Sequence, residues 1–152
     1  MPAQPSDLPR QSPQPFDLER FVQAQDTVWP DVLDELRAGY KRTHWMWFVF
    51  PQLTELGRSQ RAKLYGIGSL EEARAYMAHP VLGSRLRECA NLLLAVQGRS
   101  AYDIFGATDE VKLRSCLTLF LEAAPGEELL RQVLARYFDG VPDAATLDIL
   151  RM

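Results

Sequence analysis

Apolar residues recur at helical spacing along most of the chain, and the residues between them are those that start and stop helices. Asp17 is placed to cap a first helix with Leu18, Phe21 and Val22 on one face and Arg20, Gln23 and Gln25 on the others. Asp26 or Thr27 caps a second, in which Pro30 suits the first turn, Val32, Leu33 and Leu36 form the stripe and Gly39 is the stop. There follows a block of another kind, His44-Trp45-Met46-Trp47-Phe48-Val49-Phe50-Pro51-Gln52, with four aromatic rings in nine positions. Its apolar side chains fall on every face of a helix or a strand, so the block reads as a core element, drawn as a buried helical turn that Pro51 ends.

Beyond the block, Leu53 to Ile67 reads as a connection punctuated by Gly57, Ser59 and Gly66, with Leu56, Leu64 and Tyr65 as anchors. Ser69-Leu70-Glu71-Glu72 is a capping box, and the helix it opens must stop near His79, because Pro80 disfavours helical backbone in the residue before it. Ser84 starts a helix that turns Leu86, Cys89, Leu92, Leu93 and Val96 inward and closes at Gly98. Asp103 to Gly106 forms a turn or helical link. Thr108 then caps a helix through Leu113, Cys116, Leu117, Phe120 and Leu121 that ends at Ala124-Pro125-Gly126. Glu127 to Phe138 is amphipathic, Asp139-Gly140 turns the chain, and Asp143 caps a last short helix. With no hairpin signature and no alternating run, the expected fold is all-α, a compact single-domain bundle of six to eight short helices over residues 16–152. Residues 1–15 hold five of the ten prolines and almost nothing apolar, and read as a proline-rich N-terminal tail.

Composition narrows the function classes. With 152 residues, 47% of them apolar, the chain is long enough for one self-sufficient core, and nowhere does it offer the roughly 18 uninterrupted apolar residues of a membrane span. A net charge of -3 argues against a generic nucleic-acid binder, whose footprint is a clustered excess of Lys and Arg. Cys89 and Cys116 sit within apolar helical patterns and are too few for a zinc site or a disulfide framework; they read as buried and reduced, in a cytoplasmic protein.

No metal or cofactor motif is present, and the candidate chemistry clusters at two places. The first is the aromatic block with its polar flanks: Lys41 and Arg42 before His44, and Gln52 after Pro51. An imidazole beside cations and rings is a candidate acid or base, although one that bonds backbone needs no such role; Trp47 is either core or a stacking wall. The second is Asp109, Lys112, Ser115 and Thr118, spaced by threes along one side of a helix, where Asp109 and Lys112 form an i, i+3 pair near an N-terminus suited to anions. His79, before a proline at a helix end, reads as a cap.

The aromatic block, Tyr65 with Glu72-Ala73 and Tyr76, Asp109-x-x-Lys112-Leu113-x-Ser115 with Thr118-Leu119-Phe120, and Asp143-x-x-Thr146-Leu147 together resemble the DUF1810 family of mostly bacterial proteins of unknown function. The resemblance covers residues 16 to 151 and implies a compact helical fold with no established activity attached. Members are often labelled calpastatin, but inhibitors of that type are disordered segments that fold on their target, whereas this chain has the apolar content of a self-folding domain.

Three readings follow. If the two clusters meet, they form a pocket for a small anionic or nucleotide-like ligand, with His44 as acid or base, Asp109 orienting it, Lys41 and Lys112 holding the anion, Trp47 stacking, and Gln52 and Ser115 lining the wall. A hydrolytic or transfer reaction would suit those groups. The alternative is a protein–protein interaction module without catalysis; in the third reading the block is only the folding nucleus.

Overall fold

The computed structural model describes residues 16–152, so the expected proline-rich tail lies outside the described residues. These form nine α-helices: α1 (Glu19–Asp26), α2 (Trp29–Ala38), α3 (Met46–Val49), α4 (Gln60–Leu64), α5 (Leu70–Ala78), α6 (Leu82–Ala95), α7 (Ala101–Ala123), α8 (Glu128–Phe138) and α9 (Ala144–Leu150). Seven have seven or more residues, and a single 3-10 turn, Thr54–Leu56, precedes α4. The fold is all-α, as the spacing of apolar residues implied; among the described residues the one β feature is an isolated parallel bridge between Leu53 and Ile67. No helix among them is long and apolar enough to cross a membrane.

Helix α7 is the central post, packed against α5, α8 and α9, while α6 packs against α2, α5 and α8. Ser100 and Asp103 make a reciprocal capping box at its start, and Gly106, at φ 82° and ψ 171°, bends it. Only glycine adopts that backbone freely, so α7 is two helical segments joined at a kink: the first is the helical link expected before Gly106, opening at Ser100, and the second follows Gly106, close to the start expected at Thr108. The stretch from Leu53 to Ile67, expected as a connection, contains α4, which Ser59 caps by accepting from the Ala62 N–H at 3.0 Å.

The aromatic block is core. Trp45, Met46, Phe48, Val49 and Phe50 are all buried, Trp45 completely, and the Phe50 and Phe105 rings meet edge to face at 6.0 Å. Burying each such ring stabilises the fold by roughly 2 to 3 kcal/mol, and the block is held between α1, on which α3 packs, and the Phe105 ring of α7. Gln25, expected on an outer face, is buried; its carboxamide donates to the Phe48 carbonyl at 2.7 Å and to the Tyr76 hydroxyl at 3.1 Å. Its position, three residues after Val22 and four after Phe21, is on the apolar face of α1. His79 caps, but at the opposite pole from the expected one: Nδ1 accepts from the Val81 and Leu82 N–H groups, so α6 begins at Leu82 and not at Ser84.

Candidate functional site

The site is built by the loop between α2 and α3. Gly39 ends α2 in the left-handed conformation, and its carbonyl accepts from Arg99 Nε at 2.7 Å. The next residue but one, Lys41, donates its N–H to the Ile104 carbonyl at 2.8 Å, pinning the loop to the first turn of α7. The buried Glu35 organises the rest: its carboxylate accepts from the Arg42 N–H (2.8 Å), the Thr43 N–H (3.1 Å), the Thr43 hydroxyl (2.7 Å) and the Trp45 indole N–H (2.9 Å). Burial pushes this carboxyl up, but the Thr43 hydroxyl, the two backbone N–H groups and the indole together hold it below the ordinary glutamate range.

Held in this way, the Lys41 side chain, 8% exposed, reaches across to α7 and places Nζ 2.9 Å from Asp109 Oδ2. The other oxygen, Oδ1, lies 3.7 Å from Lys112 Nζ. Lys112 also sits 5.2 Å from the centroid of Trp47, and the Arg61 guanidinium lies 5.0 Å from the same centroid. The two expected clusters therefore meet: the polar flank of the aromatic block and the Asp109 turn of α7 form one charged ridge.

Alongside the ridge runs a cleft of about 360 Å³. Thr108, Val111, Lys112 and Ser115 of α7 form its floor, Gln52 and Leu56 one wall, and Asp143 and Ala145 the other. A void of about 10 Å³ between Trp47, Gln52 and Lys112 adjoins it.

Of the residues singled out from sequence, Gln52, Lys112 and Ser115 line the cleft, and Trp47 stands beside it. Lys41 and Asp109 form the ion pair behind Lys112. Asp109 does not orient His44: its oxygens face the two lysines, and no hydrogen bond joins it to the imidazole among the described residues. His44 is exposed beyond Trp47, with ring centroids 6.5 Å apart, and is not among the residues lining the cleft. The Ser115 hydroxyl donates to the Val111 carbonyl at 3.1 Å, whereas the Gln52 carboxamide has no hydrogen-bond partner among the described residues.

The profile of the family described as "Protein of unknown function (DUF1810)" matches residues 15–150. The chain belongs to the DUF1810 family. It is also similar, at 52% identity and a TM-score of 0.89, to a solved structure described as the conserved hypothetical protein Rv1873 from Mycobacterium tuberculosis; the match covers 91% of this chain and 99% of that one. No curated protein matches.

Within this DUF1810 chain, sequence reasoning missed three residues that shape the site. Glu35 sits three positions after Val32 and one before Leu36, on the apolar face of α2, and an acid in that place signals a buried acceptor. Asp143 was legible as a cap, and it is one: Oδ2 accepts from the Thr146 N–H at 2.9 Å and from its hydroxyl at 2.7 Å. That the same side chain lines the cleft depends on how α9 docks beside α7. Arg61 lay within the stretch read as a connection, so nothing marked it as a neighbour of Trp47.

Proposed function

We propose that this DUF1810 protein binds a small anionic ligand in the cleft beside the His-Trp-Met-Trp block. The observation that carries this reading is the sharing of Asp109. One carboxylate faces two ammonium groups, so the trio carries a net positive charge, and of the two lysines it is Lys112, the more exposed, that stands on the cleft floor. An anion entering there meets that charge, the Gln52 carboxamide and an apolar surface from Leu56, Val111 and Ala145, the usual mixture of a small-molecule site. Arg61 adds a second cation on the Trp47 side, against the net negative charge of the whole chain. In this reading Lys41 and Asp109 position Lys112, and Trp47 supports it. A nucleotide-like ligand fits the volume, and the two buried free thiols suit a reducing, cytoplasmic setting. The interaction reading has less to stand on, because the large exposed apolar side chains Tyr40, Leu64, Tyr102, Val111 and Val141 are spread over several elements.

The test is thermal-shift screening of the wild type and Lys112→Gln against inorganic phosphate, nucleoside phosphates, sugar phosphates and dicarboxylates. A ligand of the folded state raises the melting temperature with the logarithm of its concentration over Kd. The expected result is a stabilising anion whose effect falls away in Lys112→Gln and with added salt; equal shifts in both proteins, or none in either, overturn the reading.

A further inference from the structure

The cleft is polar at both ends and with opposite sign. Its cationic end is Lys112. Its acidic end is fixed by a hydrogen bond between elements: the Asp143 N–H donates to Thr118 Oγ1 at 2.8 Å, so Asp143 is tied to α7 six residues beyond Lys112, about 9 Å along the helix axis. Only one Asp143 oxygen is occupied, by the Thr146 N–H and hydroxyl; Oδ1 has no partner among the described residues. Between the ends lie Val111, the Ser115 hydroxyl, already committed to the Val111 carbonyl, and Ala145.

Resting on the anion-binding reading above, we infer that the ligand is a phosphorylated sugar, its phosphate at Lys112 and a pair of adjacent hydroxyls donating to Asp143. A bare phosphate fills only the cationic end and leaves the free carboxylate oxygen facing its unmatched charge. A second anionic group at Asp143 is repelled. Hydroxyls are donors without charge, they satisfy a carboxylate through two adjacent O–H groups, and a pentose or hexose phosphate spans the distance between the ends within about 360 Å³. Leu56, Val111 and Ala145 then cover the apolar edge of the sugar ring.

Isothermal titration with inorganic phosphate, ribose 5-phosphate, glucose 6-phosphate and the 2-deoxy analogue of each sugar phosphate tests this on the whole chain. The same titrations are run on Asp143→Asn and Asp143→Ser, which keep an N-capping side chain and so keep α9. The expected result is that one sugar phosphate or both bind about tenfold tighter than phosphate and about fivefold tighter than the deoxy analogue, because a site built for a hydroxyl rejects the ligand that lacks it. Both Asp143 variants should erase those preferences while leaving phosphate affinity within about twofold. Phosphate binding that depends on Lys112, with no sugar advantage or with an advantage that survives in both variants, leaves the anion site standing and overturns the sugar assignment. If no phosphate compound binds the wild type, both fall.

Discussion

Glu35→Gln is the substitution that most sharply tests how the site loop is held. Three of the four donors to Glu35, the Arg42 N–H, the Thr43 N–H and the Trp45 indole, converge on Oε1, and the fourth, the Thr43 hydroxyl, goes to Oε2. In its best rotamer glutamine keeps an acceptor at the Oε1 position and turns its NH₂ to the Thr43 oxygen, so geometry survives and charge assistance is lost. Hydrogen bonds to a charged group contribute about 1.5 to 3 kcal/mol and neutral ones about 1, and a neutral side chain is also cheaper to bury, so three weakened bonds at the lower end of that difference together cost about 2 to 3 kcal/mol. The melting temperature should fall by about 4 to 12 °C. The pH dependence supplies a second signature. Because the folded carboxyl is held below its unfolded value, the contribution of Glu35 is fully present above the ordinary glutamate pKa, about 4.3, and is lost as pH falls through the lower folded value. Urea unfolding at pH 7, 5 and 3.5 should therefore show a gap between wild type and variant that is constant at the first two and narrows at the third. A loss under about 1 kcal/mol at pH 7, or a gap undiminished by acid, would refute the ionised, four-donor account.

Asp109→Asn should raise the affinity of the cleft for anions about fivefold, close to 1 kcal/mol, by removing the carboxylate that faces Lys112; titration with the best anion from the screen checks it, and a fall in affinity points instead to a direct role for Asp109 in the site. Gly106→Ala should cost about 1 to 3 kcal/mol in chemical unfolding although an added Cβ would meet nothing within 4 Å, since the penalty lies in the backbone alone; a change within about 0.5 kcal/mol contradicts the kink. Cys89 and Cys116 are buried and burial pushes both thiols up, so neither should react with a thiol reagent at pH 8 until the chain is unfolded; rapid native labelling of either counts against this packing.

The fold was legible where local chemistry decides it. Ser69 caps α5 by accepting from the Glu72 N–H, and the helix stops at Ala78 before the His79-Pro80 pair; Gly39, Asp139 and Asp143 mark the other boundaries for equally local reasons. It was less legible where a side chain has two possible employments. Glu72 illustrates this: the expected box would return its carboxylate to the Ser69 N–H, but Oε1 accepts from the Gly68 N–H and Oε2 from Arg20, whose guanidinium also holds the Leu64 and Gly66 carbonyls. A tertiary partner outbid the local one, and no window of sequence contains both.

The candidate site follows the same logic one level up. Residue types at fixed spacing drew attention to Lys41, Asp109 and Lys112 as charged groups, yet their meaning lies in how one carboxylate is shared between two ammonium groups brought together from distant parts of the chain. That division depends on the Glu35 hydrogen bonds, which set the path of the loop, and on the Gly106 kink, which sets where the Asp109 turn begins. Had both lysines been as buried as Lys41, at 8% exposure, the net charge would lie where no ligand could reach it. The same residues in the same order would then describe a structural ion pair and nothing more. What makes the cleft a candidate anion site is that one carboxylate is set against two ammonium groups, the more exposed of which stands on the cleft floor, and Asp109→Asn is informative because it removes that carboxylate.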